Sequence, residues 1–159
     1  MLEIIKNKII TIDRIPGILT NSFREKHKIV FTNGCFDIIH RGHIHYLSLA
    51  SQKGDILIIG LNSDDSVRKL KGAKRPVKDQ QTRAIILASM QFVHYVIMFE
   101  EDTPLNLIKA VRPDILIKGG DYRIEDIVGY NEVKLYGGIV ETIPFLEGYS
   151  STDIINKLQ

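Results

Sequence analysis

Five short apolar runs divide this chain: KIVFTN (28–33), DILIIGLN (55–62), FVHYVIMF (92–99), PDILIKGG (113–120) and GIVETI (138–143). They are continuously apolar rather than alternating, which is the mark of strands buried on both faces. Between them lie stretches with helical spacing or composition: 42–53, stopped at Gly54; 81–91; 103–111, where Thr103 and Pro104 read as N-cap and first helical residue; and 129–136. A last helix, 151–158, opens on hydroxyl residues. Such alternation predicts an α/β fold, a Rossmann-like three-layer domain with a parallel sheet covered by helices on both faces. Residues 63–78 read as a polar, basic stretch with a basic loop over 68–78, and residues 1–27 as a lead-in with one helix broken or started near Pro16. No repeat or linker interrupts the pattern, so 1–159 is expected to be one domain, large enough to bury a real core.

Composition narrows the function classes. A net charge of +2 does not argue for nucleic acid, and the basic run RKLKGAKRPVK (68–78) has no interleaved aromatics on which bases would stack. The single cysteine, Cys35, rules out an internal disulfide and a multi-cysteine zinc site. No apolar run approaches the roughly 20 residues that span a bilayer, and charges interrupt the opening MLEIIKNKII. A cytoplasmic protein with no membrane or nucleic-acid partner is expected.

In an open parallel sheet, ligands sit beyond the carboxyl ends of the strands. Here those ends carry TNGCFD and HRGH, then NSDDSVRKLKGAKR, FEED and KGGDY, with YSST opening the last helix. The histidines of HRGH are either partly exposed residues at a helix start or phosphate ligands. Zinc needs a third protein ligand that the spacing does not supply, so no metal ligands are assigned. The phosphate reading is favoured: a helix N-terminus offers free N–H groups and a positive dipole end, Gly42 lets an anion approach, and His40 and His43 lie one turn apart. Ser151 and Thr152 fit either capping or a terminal phosphate. The usual dinucleotide and P-loop fingerprints, GxGxxG and GxxxxGK[ST], are absent.

The stretch NGCFDIIHRGH resembles the HxGH signature of the nucleotidyltransferase superfamily. Together with GLNSDDSVRKLKG, RPV, RAIILA, EEDTP, RPDILIKGGDY and GYSSTDII, it is similar to the heptose 1-phosphate adenylyltransferases of ADP-heptose synthesis, from about residue 28 onward. His45 and His94 depart from the pattern, falling where an aliphatic and an acidic residue are expected. The resemblance implies an enzyme that joins ATP and a heptose 1-phosphate to give ADP-heptose and pyrophosphate, for lipopolysaccharide or another surface glycan. The alternative is a cytidylyltransferase acting on a polyol phosphate such as glycerol 3-phosphate. No sugar kinase accompanies the domain here, so the sugar phosphate is expected from another protein.

By the same resemblance His40 and His43 act on the nucleotide phosphates, and Lys71 is the cation on the α-phosphate or the acceptor phosphate, ahead of Lys74 and Arg75. The turn Thr32, Asn33, Gly34, Cys35, Phe36 cradles phosphate, and Arg83 binds it too. Lys118, Gly119, Gly120 and Asp121 shape the base and ribose pocket, while Ser150, Ser151 and Thr152 hold the far phosphates. Asp37 and Asp64, by location, either meet sugar hydroxyls or cap turns. Mg²⁺ is expected to accompany ATP with few direct protein ligands, and a homodimer fits the superfamily.

Overall fold

The computed structural model describes residues 1–149, 151, 154 and 155. Their strands form one all-parallel sheet in the order β1-β4-β3-β2-β5-β6. The strands are β1 (Ile9–Ile10), β2 (Ile29–Gly34), β3 (Ile56–Asn62), β4 (Tyr95–Phe99), β5 (Ile115–Gly119) and β6 (Ile139–Ile143). Successive side chains of a strand point to opposite faces, and the core divides accordingly. Ile29, Phe31, Ile58 and Leu116 pack on one face against α7 (Leu105–Val111) and α8 (Tyr130–Leu135). Val30, Leu57, Ile59 and Ile117 pack on the other against α4 (Arg41–Ser51) and α6 (Gln80–Ala88). This is the expected three-layer α/β architecture.

Two expectations fail. The lead-in is not one helix: it holds α1 (Leu2–Lys6), the edge strand β1, a 3₁₀ turn at Ile12–Arg14, α2 (Ile15–Ile18) and α3 (Asn21–Lys26). Strand β1 is only two residues long and exists through its pairing with Val96 and Ile97 of β4. The basic stretch is not a loop throughout, because Asp64–Lys71 form helix α5. Ser63 caps it by accepting from the Ser66 N–H, Asp64 and Asp65 occupy the first turn, and Arg68, Lys69 and Lys71 the last, the arrangement a helix dipole favours. A smaller difference lies at α7, whose N-cap is Pro104 rather than Thr103, with no side-chain cap. Of the expected closing helix over 151–158, only Ser151, Ile154 and Ile155 are described, all helical.

The topology locates the crevice. From β2 the chain builds β3 and β4 on one side, then crosses to place β5 and β6 on the other. The order reverses beside β2, and such a switch point opens a crevice at the carboxyl ends of the strands that flank it. Those ends are Gly34 of β2 and Gly119 of β5.

Candidate active site

A cleft of about 450 Å³ opens at that edge, lined by Asn33, Gly34, Cys35 and Phe36 after β2 and by Lys118 and Gly119 at the end of β5. A smaller lobe of about 240 Å³, lined by His40, Gly42 and Tyr149, adjoins it. His43, Tyr46, Lys71, Phe145 and Ser151 border both lobes.

His40 is the N-cap of α4, in extended backbone, and its Nδ1 accepts the Gly42 N–H at 3.1 Å. An acceptor nitrogen carries no proton, so the proton of the neutral ring sits on Nε2, which is left as a donor. The His43 ring lies 4.0 Å from it, centroid to centroid. Burial, with smaller contributions from His40 and Lys71, pushes the His43 pKa down to about 4; burial also lowers that of His40. Both rings are therefore neutral at pH 7. The His43 Nδ1 is buried with no partner among the described residues, a costly state for a polar atom that a ligand would relieve. Gly42 lines the smaller lobe, and a Cβ there would stand 3.0 Å from the His40 ring and from Tyr149 Cβ, so its bareness also admits those groups.

Lys71, the last residue of α5, and Lys118, in β5, bring the cations. Neither has an ion-pair or side-chain hydrogen-bond partner among the described residues. Burial holds the Lys118 ammonium below the ordinary lysine range, so an incoming phosphate meets a charge already stripped of much of its water.

Other assigned residues have structural roles. Arg83 is fully buried. Its guanidinium donates to the carbonyls of Lys78 (3.0 Å), Cys35 (2.6 Å) and Asn62 (2.9 Å) and to Asp64 Oδ1 (2.7 Å). It does not meet phosphate; it ties together the chain segments that frame the cleft. Asp64 is thereby a partner of Arg83 rather than of a sugar. Asp37, 2% exposed, accepts from Arg75 Nε (2.6 Å) and from the Val77 (2.8 Å) and Lys78 (3.1 Å) N–H groups. Burial works against that carboxylate, but the hydrogen bonds from Lys78, Arg75 and Val77 prevail and hold it below the usual range. The carboxylate pins the basic loop 72–78 to the turn after β2. Thr32 lies under the cleft, fully buried, with its hydroxyl bonded to Tyr46 Oη.

Asp121 is exposed and does not line the cleft. The Ser151 hydroxyl donates to the Ile38 carbonyl at 3.1 Å, fastening the chain after β6 to the turn after β2. Ser150 and Thr152 lie outside the described residues. Several lining residues escaped the sequence reading: Asn62, Asp102, Thr103, Tyr122 and Phe145. Asn62 and Asp102 were findable from their positions just at or beyond strand ends. Tyr122 was findable as the last residue of KGGDY, whereas Phe145 carried no local signal.

The comparisons with known proteins agree with this fold. The bifunctional protein HldE of Geobacter metallireducens is 51% identical over 151 residues, 95% of this chain and 31% of that protein. HldE of Trichlorobacter lovleyi is 56% identical over 131 residues, 82% of this chain and 27% of that protein. The chain thus spans about a third of the length of these curated relatives. A lipopolysaccharide core biosynthesis protein from Thermoplasma volcanium superposes with a TM-score of 0.62 at 27% identity, covering 78% of this chain and 99% of that one. Pantoate-beta-alanine ligase from Francisella tularensis shares the fold, with a TM-score of 0.64 at 18% identity over 94% of this chain and 77% of that one. Residues 31–157 match a family of nucleotidyl-transfer enzymes, and the chain belongs to it: the cytidylyltransferase-like family.

Proposed function

We propose that this chain is an adenylyltransferase that joins ATP to a heptose 1-phosphate, giving ADP-heptose and pyrophosphate for a surface glycan such as lipopolysaccharide. The observation that carries the reading is the switch-point cleft, where two neutral histidines at the start of α4 meet two lysines that have no partner among the described residues. The likeness to the HldE proteins across nearly the whole chain supports the choice of sugar and nucleotide.

A phosphate oxygen of the sugar attacks the α-phosphorus of ATP, and the bond from that phosphorus to the bridging oxygen of pyrophosphate breaks. The nucleophile is already an anion, so the chain needs no general base and forms no covalent intermediate. Its residues align the two phosphates and offset the charge that grows on the transferring and leaving groups. The His40 Nε2–H and the His43 ring donate to the phosphate oxygens, and Lys71, which borders both lobes, bridges nucleotide and acceptor. Mg²⁺, when bound with ATP, would supply neutralisation of phosphate charge. The carboxylates at the cleft fit an ion held mainly by phosphates and water, since Asp37 is occupied by Arg75 and two N–H groups and Asp102 pairs with Lys69.

No helix of the described residues is long and apolar enough to cross a membrane, which supports a cytoplasmic enzyme. The exposed Leu2 and Ile4 of α1 support a homodimer, which light scattering would check. The main test is pyrophosphate release with ATP or CTP against heptose 1-phosphate or glycerol 3-phosphate. Release with ATP and the heptose is expected; release only with CTP and glycerol 3-phosphate overturns the reading.

A further inference from the structure

Phe145 follows β6 and is 62% exposed. A Cβ on Gly119 would stand 2.7 Å from it and a Cβ on Gly120 2.8 Å, so the ring lies directly on the backbone of the double glycine. Tyr122, 53% exposed, approaches Gly120 as well, with a ring carbon 3.4 Å from where that Cβ would be. Phe145 borders both lobes of the cleft, alongside His43 and Lys71. An apolar ring wetted in this way loses free energy that a planar ligand would recover.

We propose that Phe145, laid across Gly119–Gly120, is the platform on which the base of the nucleotide stacks, with Tyr122 at its rim. This rests on the reading that a nucleoside triphosphate puts its phosphates at His40 and His43. With the phosphates there, a base within reach of the shared border of the two lobes meets the Phe145 face. Stacking is tolerant of base identity but grows with ring area, so the platform favours a purine over a pyrimidine. The glycines are required because any side chain at 119 or 120 would displace the ring.

The chain contains no tryptophan, so Phe145→Trp introduces a single reporter. Its emission is expected to be quenched by ATP and not by inorganic tripolyphosphate. In calorimetry, Phe145→Ala should weaken ATP binding roughly 5- to 150-fold, the range for loss of one stacked base, and leave tripolyphosphate binding within about twofold. Phe145→Tyr should restore ATP binding. Gly119→Ala, which keeps the ring but pushes it aside, should reproduce the loss. Circular dichroism checks that each variant folds.

If wild-type protein binds ATP and Phe145→Ala binds it equally well or better, the platform is overturned, and a gain would make the ring a plug. Wild-type protein that binds CTP in place of ATP overturns the adenylyl reading instead, and the same variants measured with CTP still decide the platform. Wild-type protein that binds neither overturns both.

Discussion

The two edges of the sheet use the same kinds of charged residue for opposite ends. At the amino ends of the strands, Asp55 accepts the Lys28 N–H and Asp114 the Ile29 N–H, each at 2.7 Å. Arg24 there donates to the carbonyls of Leu19 (3.0 Å), Val111 (2.8 Å) and Arg112 (3.0 Å). These charges satisfy backbone groups at element ends, where helices and strands leave donors and acceptors over. At the carboxyl edge, Lys71 and Lys118 lack such partners among the described residues, and His43 Nδ1 and one Arg75 nitrogen are buried without any. Charge marks neither edge as functional: among the described residues lysines without a partner occur at both, Lys26 and Lys28 at the amino edge among them, and what the carboxyl edge alone holds is a polar atom buried without a partner.

Arg83 breaks the rule that a cation at the ligand edge serves the ligand, and its removal should give the largest effect. Arg83→Ala leaves Asp64 and three carbonyls without their donor, so unfolding free energy should fall by about 3–5 kcal/mol, read by chemical denaturation. Arg83→Lys should recover little, because one ammonium does not reproduce the planar fork that reaches all four acceptors. A lysine variant as stable as wild type but weak in ATP binding would return Arg83 to the phosphate site.

The histidines should show the reverse pattern. His40→Ala or His43→Ala should lower turnover roughly 10²- to 10³-fold, the effect of deleting one transition-state donor, while the fold survives. Near-normal turnover in either would end the phosphate role. His43 also leaves a pH signature. Its pKa is about 4 in the fold against an ordinary value of 6.5, so below pH 6.5 the unfolded chain takes up the proton first. Its contribution to stability is fully present above pH 6.5 and is lost as the pH falls toward 4. His40 and His94, also held low by burial, act in the same direction. Urea unfolding between pH 4 and 7 should show a shallower slope in His43→Ala than in wild type, and an unchanged slope would contradict the burial of that ring.

The difference between the edges also explains what could be read from sequence. Strands buried on both faces must be apolar throughout, so β3, buried at every residue from Ile56 to Asn62, announces itself. Strand β1 does not, since two isoleucines make no pattern and only the neighbouring β4 makes them a strand. Helix α5 hid because its buried residues are only Ser66 and Val67, and charge covers the rest. In the site, HRGH was legible because capping and helix dipole act locally. Arg83 and Thr32 were misread because a sequence shows a donor but not the acceptors it finds across the fold. Phe145 was missed because nothing local sets an aromatic in a loop apart; only its approach to Gly119 and Gly120 does.

Within the basic stretch, the comparison sharpens to two lysines. Lys71 borders both lobes, whereas Lys78 lines neither, and its N–H and carbonyl are engaged by Asp37 and Arg83. Lys71→Ala should cost roughly 10- to 100-fold in kcat/KM, the loss of one charged hydrogen bond. Lys78→Ala should cost less than about twofold, since its side chain lines neither lobe of the cleft. Equal small losses would make the whole stretch a solvated surface.

The smallest effect belongs to the amino edge and is the control for the rest. Asp114→Ala removes the acceptor for the Ile29 N–H, a residue with no exposed surface. The strand there loses a hydrogen bond to a charged group, about 1–2 kcal/mol of stability. Asp114→Asn keeps an acceptor oxygen and should lose less than half of that. The cleft is at the other end of β2 and β5, so kcat and KM should stay at wild-type values at temperatures where the variant is folded. A variant that is stable yet slow would mean that the start of β2 governs the turn at its end, and the separation of a structural edge from a chemical one would fall.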